Sequence, residues 1–182
     1  MGRKNSLFAG RLEAEKGVKI LLQAVGKLSS AGIRGGVHLI GGAACATKSS
    51  AAEGAVPFEL KYFEPIPYGP RFLNFLQRYH AILVPSLSDE QPRIVFDAAA
   101  RAVPVLASDT DGLRPHIENN RTGRLIPPGD SAVLAETMAQ WADNPMLLRN
   151  FALEALYRVR GNTHRAMHAE RSRNIARHFG IG

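Results

Sequence analysis

The chain has 182 residues, of which 45% are apolar and 21% charged, a balance typical of one folded globular domain rather than of a disordered segment. It contains no run of about eighteen apolar residues, which argues against a transmembrane helix, and the apolar stretch at residues 7–9 is too short for a signal peptide. The single cysteine, Cys45, excludes an internal disulfide framework and a thiolate metal cluster. We therefore expect a cytoplasmic protein.

Positive charge dominates, with 23 Lys and Arg against 16 Asp and Glu and a formal net charge of +7. Such a balance suits a nucleic acid, an anionic membrane surface or a phosphate-bearing small molecule. No zinc-finger spacing or helix-turn-helix signature accompanies it, so we do not expect nucleic acid as a partner. Much of the charge lies in the last quarter, at Arg149, Arg158, Arg160, Arg165, Arg171, Arg173 and Arg177. This end is either a solvated helix face or a docking surface for a second domain or an anionic membrane.

Short apolar runs alternate with helical patterns along the chain. Strands are predicted where a run is short and almost continuously apolar, as in a sheet covered on both faces. They lie at residues 6–9, 37–40, 60–63, 81–84, 103–107 and 123–126. Helices, predicted from apolar residues at helical spacing, lie at residues 18–28, 72–78, 93–102 and 131–141, and Asp130 is a suitable cap for the last of these.

Strands that alternate with helices are joined by right-handed crossovers, so we expect an α/β fold, a parallel sheet between two helical layers. Residues 41–55 are rich in small side chains and fit either a loop or a short helix. The chain after residue 144 is predicted to be a helical tail, broken near Gly161 and resumed after Thr163 as a cap. Ligands of such sheets bind at the carboxyl ends of the strands.

The segment from residue 85 to residue 97 is the most informative one. It follows a predicted strand, passes through a polar loop and enters a helix with a proline in its first turn. The backbone amides of Arg93 and Ile94 would then face the strand ends, an arrangement that binds anions. Asp89 and Asp97 flank it, and carboxylates accept hydrogen bonds from sugar hydroxyls. The alternative is that Asp89 solvates a loop and Asp97 is an ordinary helix charge.

Two cations follow the first predicted strand. Arg11 and Lys16 would overhang the same strand ends and suit a diphosphate, although they stand equally well for two surface cations beside a turn. Gly41, after the second strand, would allow close approach of the backbone to a ligand, or mark a turn. The lone histidines, His80 and His116, show no ligand pairing, and we expect neither a metal nor another cofactor.

Five segments carry a family resemblance, namely FAGRLEAEKG at 8–17, VHLIGG at 37–42, ILVPSLSDE at 82–90, FDAAARAVPVLASD at 96–109 and TGRLIPPGD at 122–130. Their order and spacing resemble the C-terminal, donor-binding domain of group 1 retaining glycosyltransferases with the GT-B fold. The resemblance implies a Rossmann-like domain over residues 1–143, a nucleotide-diphosphate-sugar donor and metal-independent transfer. It also implies a second, N-terminal domain that carries the acceptor site.

Site roles follow from the same resemblance. Asp89 and Asp97 stand where the family has two glutamates with seven residues between them, and each is one methylene shorter. Asp89 would face the donor sugar and Asp97 the ribose, while the base would lie near Gly41 and residues 62–65. Arg11 and Lys16 would stabilise the leaving diphosphate, so that these two cations and Asp89 would be the catalytic residues.

The resemblance also sets what this chain can do by itself. We expect the donor-binding half of a glycosyltransferase, either an excised piece or a natural half-protein, that is inactive without the N-terminal domain. The basic tail at 144–182 would pack on residues 1–143 or reach towards that missing domain. The alternative is a stand-alone or degenerate module that binds a nucleotide or a partner without catalysis.

Overall fold

The computed structural model describes residues 5–41, 58–88, 93–160, 172–173 and 176–180. Its strands are β1 Asn5–Ala9, β2 Gly35–Ile40, β3 Phe58–Phe63, β4 Ala81–Val84, β5 Val105–Ser108 and β6 Gly123–Ile126. Its helices are α1 Val18–Ser30, α2 Pro70–Leu76, α3 Arg93–Ala100, α4 Ser131–Asp143 and α5 Pro145–Val159. Short 3-10 turns occur at Ala14–Lys16 and Arg114–His116.

The six strands form one sheet in the order β3-β2-β1-β4-β5-β6, and every neighbouring pair is parallel. Strands β2, β4 and β5 are buried along their whole length, because helices cover both faces of the sheet. The predicted parallel α/β sandwich is therefore confirmed. The strand order changes direction between β1 and β4, and this is the place where such sheets bind ligands.

Alternate residues of the strands face two separate cores. In β1, Phe8 points to a core built with α1, α4 and α5, whereas Leu7 points to a core built with α2 and α3. Helix α5 joins the first core through Leu148 and Phe151, and the Phe151 ring lies 5.8 Å from that of Trp141. The helical segment after residue 144 is thus part of the packed structure, while the proposed boundary at residue 143 stays a prediction.

The turn from α3 to β5 differs from the prediction. The helix ends at Ala100 rather than at residue 102, and Ala102 has a positive φ of 54°. The Val103 amide donates to the Ala98 carbonyl, which closes the end of the helix, and β5 begins only at Val105. Val103 lies in the turn but is buried. Because a buried turn residue is apolar in the same way as a strand residue, the strand was predicted to begin at residue 103. The predicted helix at 72–78 likewise begins earlier, at Pro70, and ends at Leu76.

Helices α4 and α5 both begin at a side-chain cap, of which the one at Asp130 was predicted. The Asp130 carboxylate accepts from the amides of Ala132 and Val133, both at 2.9 Å, so the predicted cap is confirmed. Asn144 does the same for α5, since its side chain accepts from the Leu147 amide at 3.0 Å. Residues 172–173 and 176–179 are helical, whereas the expected break at Gly161 and the cap at Thr163 lie outside the described residues. Cys45 and the segment after Gly41 lie outside them as well.

Within the described ranges, no helix combines the length and the apolarity needed to cross a membrane.

Candidate functional site

Two adjoining clefts open at the carboxyl ends of the strands, where the strand order changes direction. The main cleft has a volume of about 390 Å³ and lies between the ends of β1 and β2, the loop after β3, and helices α2 and α3. The side cleft, of about 90 Å³, lies between the ends of β1 and β4. Ala9, Gly10 and Ile94 line both clefts. A ligand that occupies both would therefore pass over the first turn of α3.

The floor of the main cleft is a close contact between two glycines. The Gly10 amide donates to the Ile40 carbonyl at 2.9 Å, which extends the pairing of β1 with β2 by one residue. A Cβ at Gly41 would overlap the carbonyl oxygen of Gly10. Gly41 is thus needed for the approach of two backbone segments, and this contact brings it to the cleft wall.

Lys16 is held at the side cleft by contacts between two loops. The Glu15 carbonyl accepts from the Leu87 amide at 2.7 Å and from the Ser86 hydroxyl at 3.3 Å. Gly17 has a φ of 74°, and a Cβ there would overlap the carbonyl oxygen of Pro85. The loop after β1 is therefore fixed against the loop after β4, and Lys16 and Ser86 both line the side cleft.

Arg11 lines the main cleft but already has carboxylate neighbours. Its guanidinium lies 3.2 Å from Glu13 Oε1 and 3.4 Å from Glu15 Oε1, and its side chain is 67% exposed. Exposed ion pairs of this kind contribute about 0–1 kcal/mol, so an anionic ligand can replace the glutamates at modest cost. A ligand that binds Arg11 would therefore replace its contacts with Glu13 and Glu15.

Asp97, one turn inside α3, is the most covered polar group of the main cleft, with a side chain that is 13% exposed. The Tyr68 hydroxyl donates to Asp97 Oδ1 at 3.0 Å, and Arg93 Nε lies 3.7 Å from Oδ2. Burial raises the pKa of Asp97, and the hydrogen bond from Tyr68 and the charges of Arg93 and Arg101 oppose that rise. The carboxylate is thus held in a cleft wall rather than solvated.

The aromatic wall of the cleft was absent from the sequence-based prediction. The Tyr68 and Phe72 rings are in contact, with centres 6.0 Å apart and planes tilted by 43°. Arg93 lies over the Tyr68 ring at 3.6 Å from its centre. No motif marks these residues, because they come from the loop and helix after β3 and meet α3 only in the fold. Of the segment 62–65 expected near the base, Pro65 lines the cleft, while Phe63 packs on His38 beneath it.

The site residues predicted from the sequence fall into three groups in the structure. The structure brings Arg11, Gly41, Arg93, Ile94 and Asp97 together along the main cleft. Lys16 lies in the side cleft, and Asp89 lies outside the described residues. The roles assigned to them stay predictions.

Neither of the two lone histidines belongs to the clefts. His80 Nδ1 lies 3.1 Å from the Asn5 amide, and the His116 ring packs on Phe96 at 4.8 Å. In the part of the chain that the structure describes, no three His, Cys, Asp or Glu side chains are grouped so that they could hold a metal ion.

Taken together, the clefts offer three kinds of recognition. The N-terminus of α3 with Arg93, Arg11 and Lys16 nearby suits a phosphorylated group. The Tyr68 and Phe72 rings offer an apolar surface to a planar or ring-shaped group. The hydrogen-bonded carboxylate of Asp97 suits hydroxyl groups.

Comparison with known proteins places the whole arrangement in a family. The family model described as Glycosyl transferases group 1 matches residues 3–144. D-inositol 3-phosphate glycosyltransferases are among the similar proteins. That of Arthrobacter sp. strain FB24 is 30% identical over 93% of this chain and 39% of its own length. That of Streptomyces coelicolor is 28% identical over 78% of this chain and 33% of its own length.

Solved structures share the fold. Sucrose-phosphate synthase from Thermosynechococcus elongatus matches with a TM-score of 0.80 and 22% identity, over 99% of this chain and 46% of that one. The C-terminal domain of the glycosyl transferase group 1 protein LpcC from Francisella tularensis matches with a TM-score of 0.73 and 16% identity, over 87% and 85%. Anabaena HepE in complex with UDP-glucose matches with a TM-score of 0.70 and 18% identity, over 86% and 43%.

The present chain spans between a third and two-fifths of the length of the two D-inositol 3-phosphate glycosyltransferases. The resemblance to GT-B glycosyltransferases that the motifs predicted is confirmed for both family and fold. The chain belongs to the group 1 glycosyl transferases.

Proposed function

We propose that the chain is the donor-binding half of a retaining glycosyltransferase that takes its sugar from a nucleotide-diphosphate sugar. The observation that carries the proposal is the pair of clefts at the change in strand order, which places a helix N-terminus, cations, a carboxylate and aromatic rings around one space. Two comparisons support it. HepE is solved with UDP-glucose, and this chain covers most of the LpcC C-terminal domain.

In this proposal the diphosphate lies over the first turn of α3. The amides of Arg93 and Ile94 belong to the first turn of the described helix and donate to the phosphate oxygens. Arg11 approaches from the main cleft and Lys16 from the side cleft. Negative charge grows on the leaving diphosphate as the glycosidic bond breaks, and fixed donors and cations stabilise that charge.

The two aspartates serve the sugar hydroxyls. Asp97 lies on the ribose side of the site, since it belongs to the same cleft wall as the aromatic rings. Asp89 serves the transferred sugar, as the family resemblance implies. In this proposal the transfer needs no metal or other cofactor, because the cations and backbone amides stabilise the charge on the leaving diphosphate.

The acceptor side lies in the rest of the protein. We propose that an N-terminal domain supplies it, that this chain alone transfers no sugar, and that the enzyme works in the cytoplasm. The basic end of the chain would meet that domain or an anionic membrane surface. Part of its charge is already used, since Arg158 contacts Glu118 Oε1 at 2.7 Å.

Titration calorimetry of the chain with UDP, GDP and ADP and their sugar conjugates tests the proposal. We expect one nucleoside diphosphate to bind in the micromolar to millimolar range. Asp97→Ala should weaken that binding about three- to tenfold and Lys16→Ala about tenfold or more. Glu136→Ala and Lys27→Ala are matched controls, because both side chains are exposed on helices and line neither cleft. Loss of binding in the controls, or undiminished binding in both cleft variants, would refute the site.

A further inference from the structure

Tyr68 lines the main cleft together with Asp97 and is hydrogen-bonded to it. The Asp97 side chain is 13% exposed, whereas Tyr68 is 52% exposed and donates its hydroxyl to Asp97 Oδ1 at 3.0 Å. The second carboxylate oxygen faces Arg93 at 3.7 Å. Both residues line the cleft, and the phenol oxygen of Tyr68 is the more accessible of the two groups to a hydroxyl of a ligand.

The phenol has the right chemistry for such a contact. A phenol that donates its proton to a carboxylate keeps lone pairs with which it accepts a hydrogen bond. The hydrogen bond to Asp97 raises the pKa of Tyr68 further above its ordinary value, so the phenol remains a donor to Asp97 at neutral pH. The Tyr68–Asp97 pair thus presents the phenol oxygen to the cleft as an oriented acceptor. This oxygen is more accessible from the cleft than the Asp97 carboxylate is.

Two side chains contact the ring of Tyr68. The Arg93 guanidinium lies over the Tyr68 ring at 3.6 Å from its centre, and the Phe72 ring supports the ring at 6.0 Å. Gly69 follows directly with φ 149° and ψ −166°, a backbone conformation that is essentially restricted to glycine. Gly69 is the residue that precedes α2, the helix that carries Phe72.

We propose that Tyr68 recognises the ribose of the donor nucleotide, because its phenol oxygen accepts a hydrogen bond from a ribose hydroxyl while Asp97 orients it. This inference rests on the proposed function and adds a residue to it. Tyr68 contacts the ligand, and Asp97 is a positioning residue that acts through Tyr68. A nucleotide that lacks the ribose hydroxyls should therefore lose the contact.

The test combines Tyr68→Phe with a change in the ligand. Calorimetry is carried out with the nucleoside diphosphate that binds, out of UDP, GDP and ADP, and with its 2′,3′-dideoxy form. We expect wild type to bind the dideoxy form about three- to tenfold more weakly than the ribose form, and Tyr68→Phe to bind both forms alike at the weaker level. Tyr157→Phe is the matched control, since Tyr157 is 77% exposed on α5, and it should behave as wild type.

Each result decides a different statement. If Tyr68→Phe, with an unchanged melting temperature, binds the ribose form as tightly as wild type or more tightly, Tyr68 makes no favourable contact and the inference is wrong. The inference is also wrong if the variant keeps the wild-type ratio between the two forms. If wild type binds none of the three nucleoside diphosphates, the proposed function itself fails and takes the inference with it.

Discussion

Asp97 is an ionisable group whose surroundings work against its charge. Burial in the cleft wall raises its pKa, and the hydrogen bond from Tyr68 together with the charges of Arg93 and Arg101 offsets only part of that effect. A carboxylate that the fold alone required would be either solvated or fully paired. The arrangement at Asp97 is instead typical of a residue kept for binding, at some cost in stability.

Asp97→Asn should therefore stabilise the chain at neutral pH while it weakens binding of the nucleoside diphosphate. A folded-state pKa above the unfolded value near 3.8 means that the native state binds more protons within that window. The contribution of Asp97 to the free energy of unfolding is thus fully present below its unfolded-state pKa. It is lost as the pH rises through its folded-state pKa. Urea unfolding at pH 7 and at pH 3.5 measures the free energy of unfolding. We expect the variant to be more stable than wild type at pH 7 and equally stable at pH 3.5.

Glu136→Gln is the control for this measurement, because Glu136 is exposed in the middle of α4 and contacts only Gln140 among the hydrogen bonds described. Glu136→Gln should show the same difference in free energy of unfolding between pH 7 and pH 3.5 as wild type. A stability of Asp97→Asn below that of wild type at pH 7 would mean that the ionised carboxylate stabilises the fold.

At the level of the elements, the loops at the carboxyl ends of β1, β2 and β4 support one another through glycines. Gly41 makes room for the Gly10 carbonyl, and Gly17 makes room for the Pro85 carbonyl. Backbone contacts therefore hold the strand ends beneath the clefts together, and the side chains of Arg11 and Lys16 extend from these segments.

Gly41→Ala should destabilise the chain by about 1–3 kcal/mol and weaken nucleotide binding, because the new methyl group forces the β1 and β2 ends apart. Gly26→Ala is the matched substitution in the interior of α1, where a Cβ would meet nothing within 4 Å. It should stabilise the chain by about 0.5–1 kcal/mol and leave binding unchanged. Urea unfolding and calorimetry of both variants measure the contrast. Equal stability of the two variants would show that the ends of β1 and β2 can separate without cost.

The central strands were predictable because burial on both faces leaves a continuous apolar run, as in β2, β4 and β5. All six strands were found to within two residues at each end, although β3 is largely exposed. Burial by itself does not distinguish a strand from a buried turn. Val103 belongs to such a turn, and the positive φ of Ala102, which sets the turn, has no sequence signal of the kind that a glycine gives. Boundaries therefore depended on tertiary contacts, while the order of elements did not.

The site was predictable only where local motifs carry it. Arg11, Arg93 and Asp97 lie within segments whose pattern indicates strand ends and a helix N-terminus, so their convergence at one edge followed from the parallel topology. Tyr68 lies nearly thirty residues before Asp97, in a loop that no pattern marks, and reaches it only through the packing of α2 on α3. Its contribution could not be read from spacing.

On the scale of the whole molecule, α5 connects both sides of the sheet. Its residues Leu148 and Phe151 enter the core of α1 and α4, and the helix also packs against α3. Arg158 contacts Glu118 at 2.7 Å in the connection between β5 and β6. The N-terminus of α3 belongs to the clefts, so α5 supports the site from behind although it is distant from the ligand.

Removal of α5 should thus cost the chain its cooperative fold, whereas removal of the segment after it should not. A chain that ends at Asp143 loses Leu148 and Phe151, and truncation of a single buried side chain of that size costs about 2–5 kcal/mol against a total stability of about 5–15 kcal/mol. A chain that ends at Arg160 keeps both residues. Thermal unfolding followed by circular dichroism should give a broad, non-cooperative transition for the shorter chain and a sharp one for the longer. A sharp transition of the shorter chain at the wild-type temperature would establish residues 1–143 as a complete domain and α5 as an appendage.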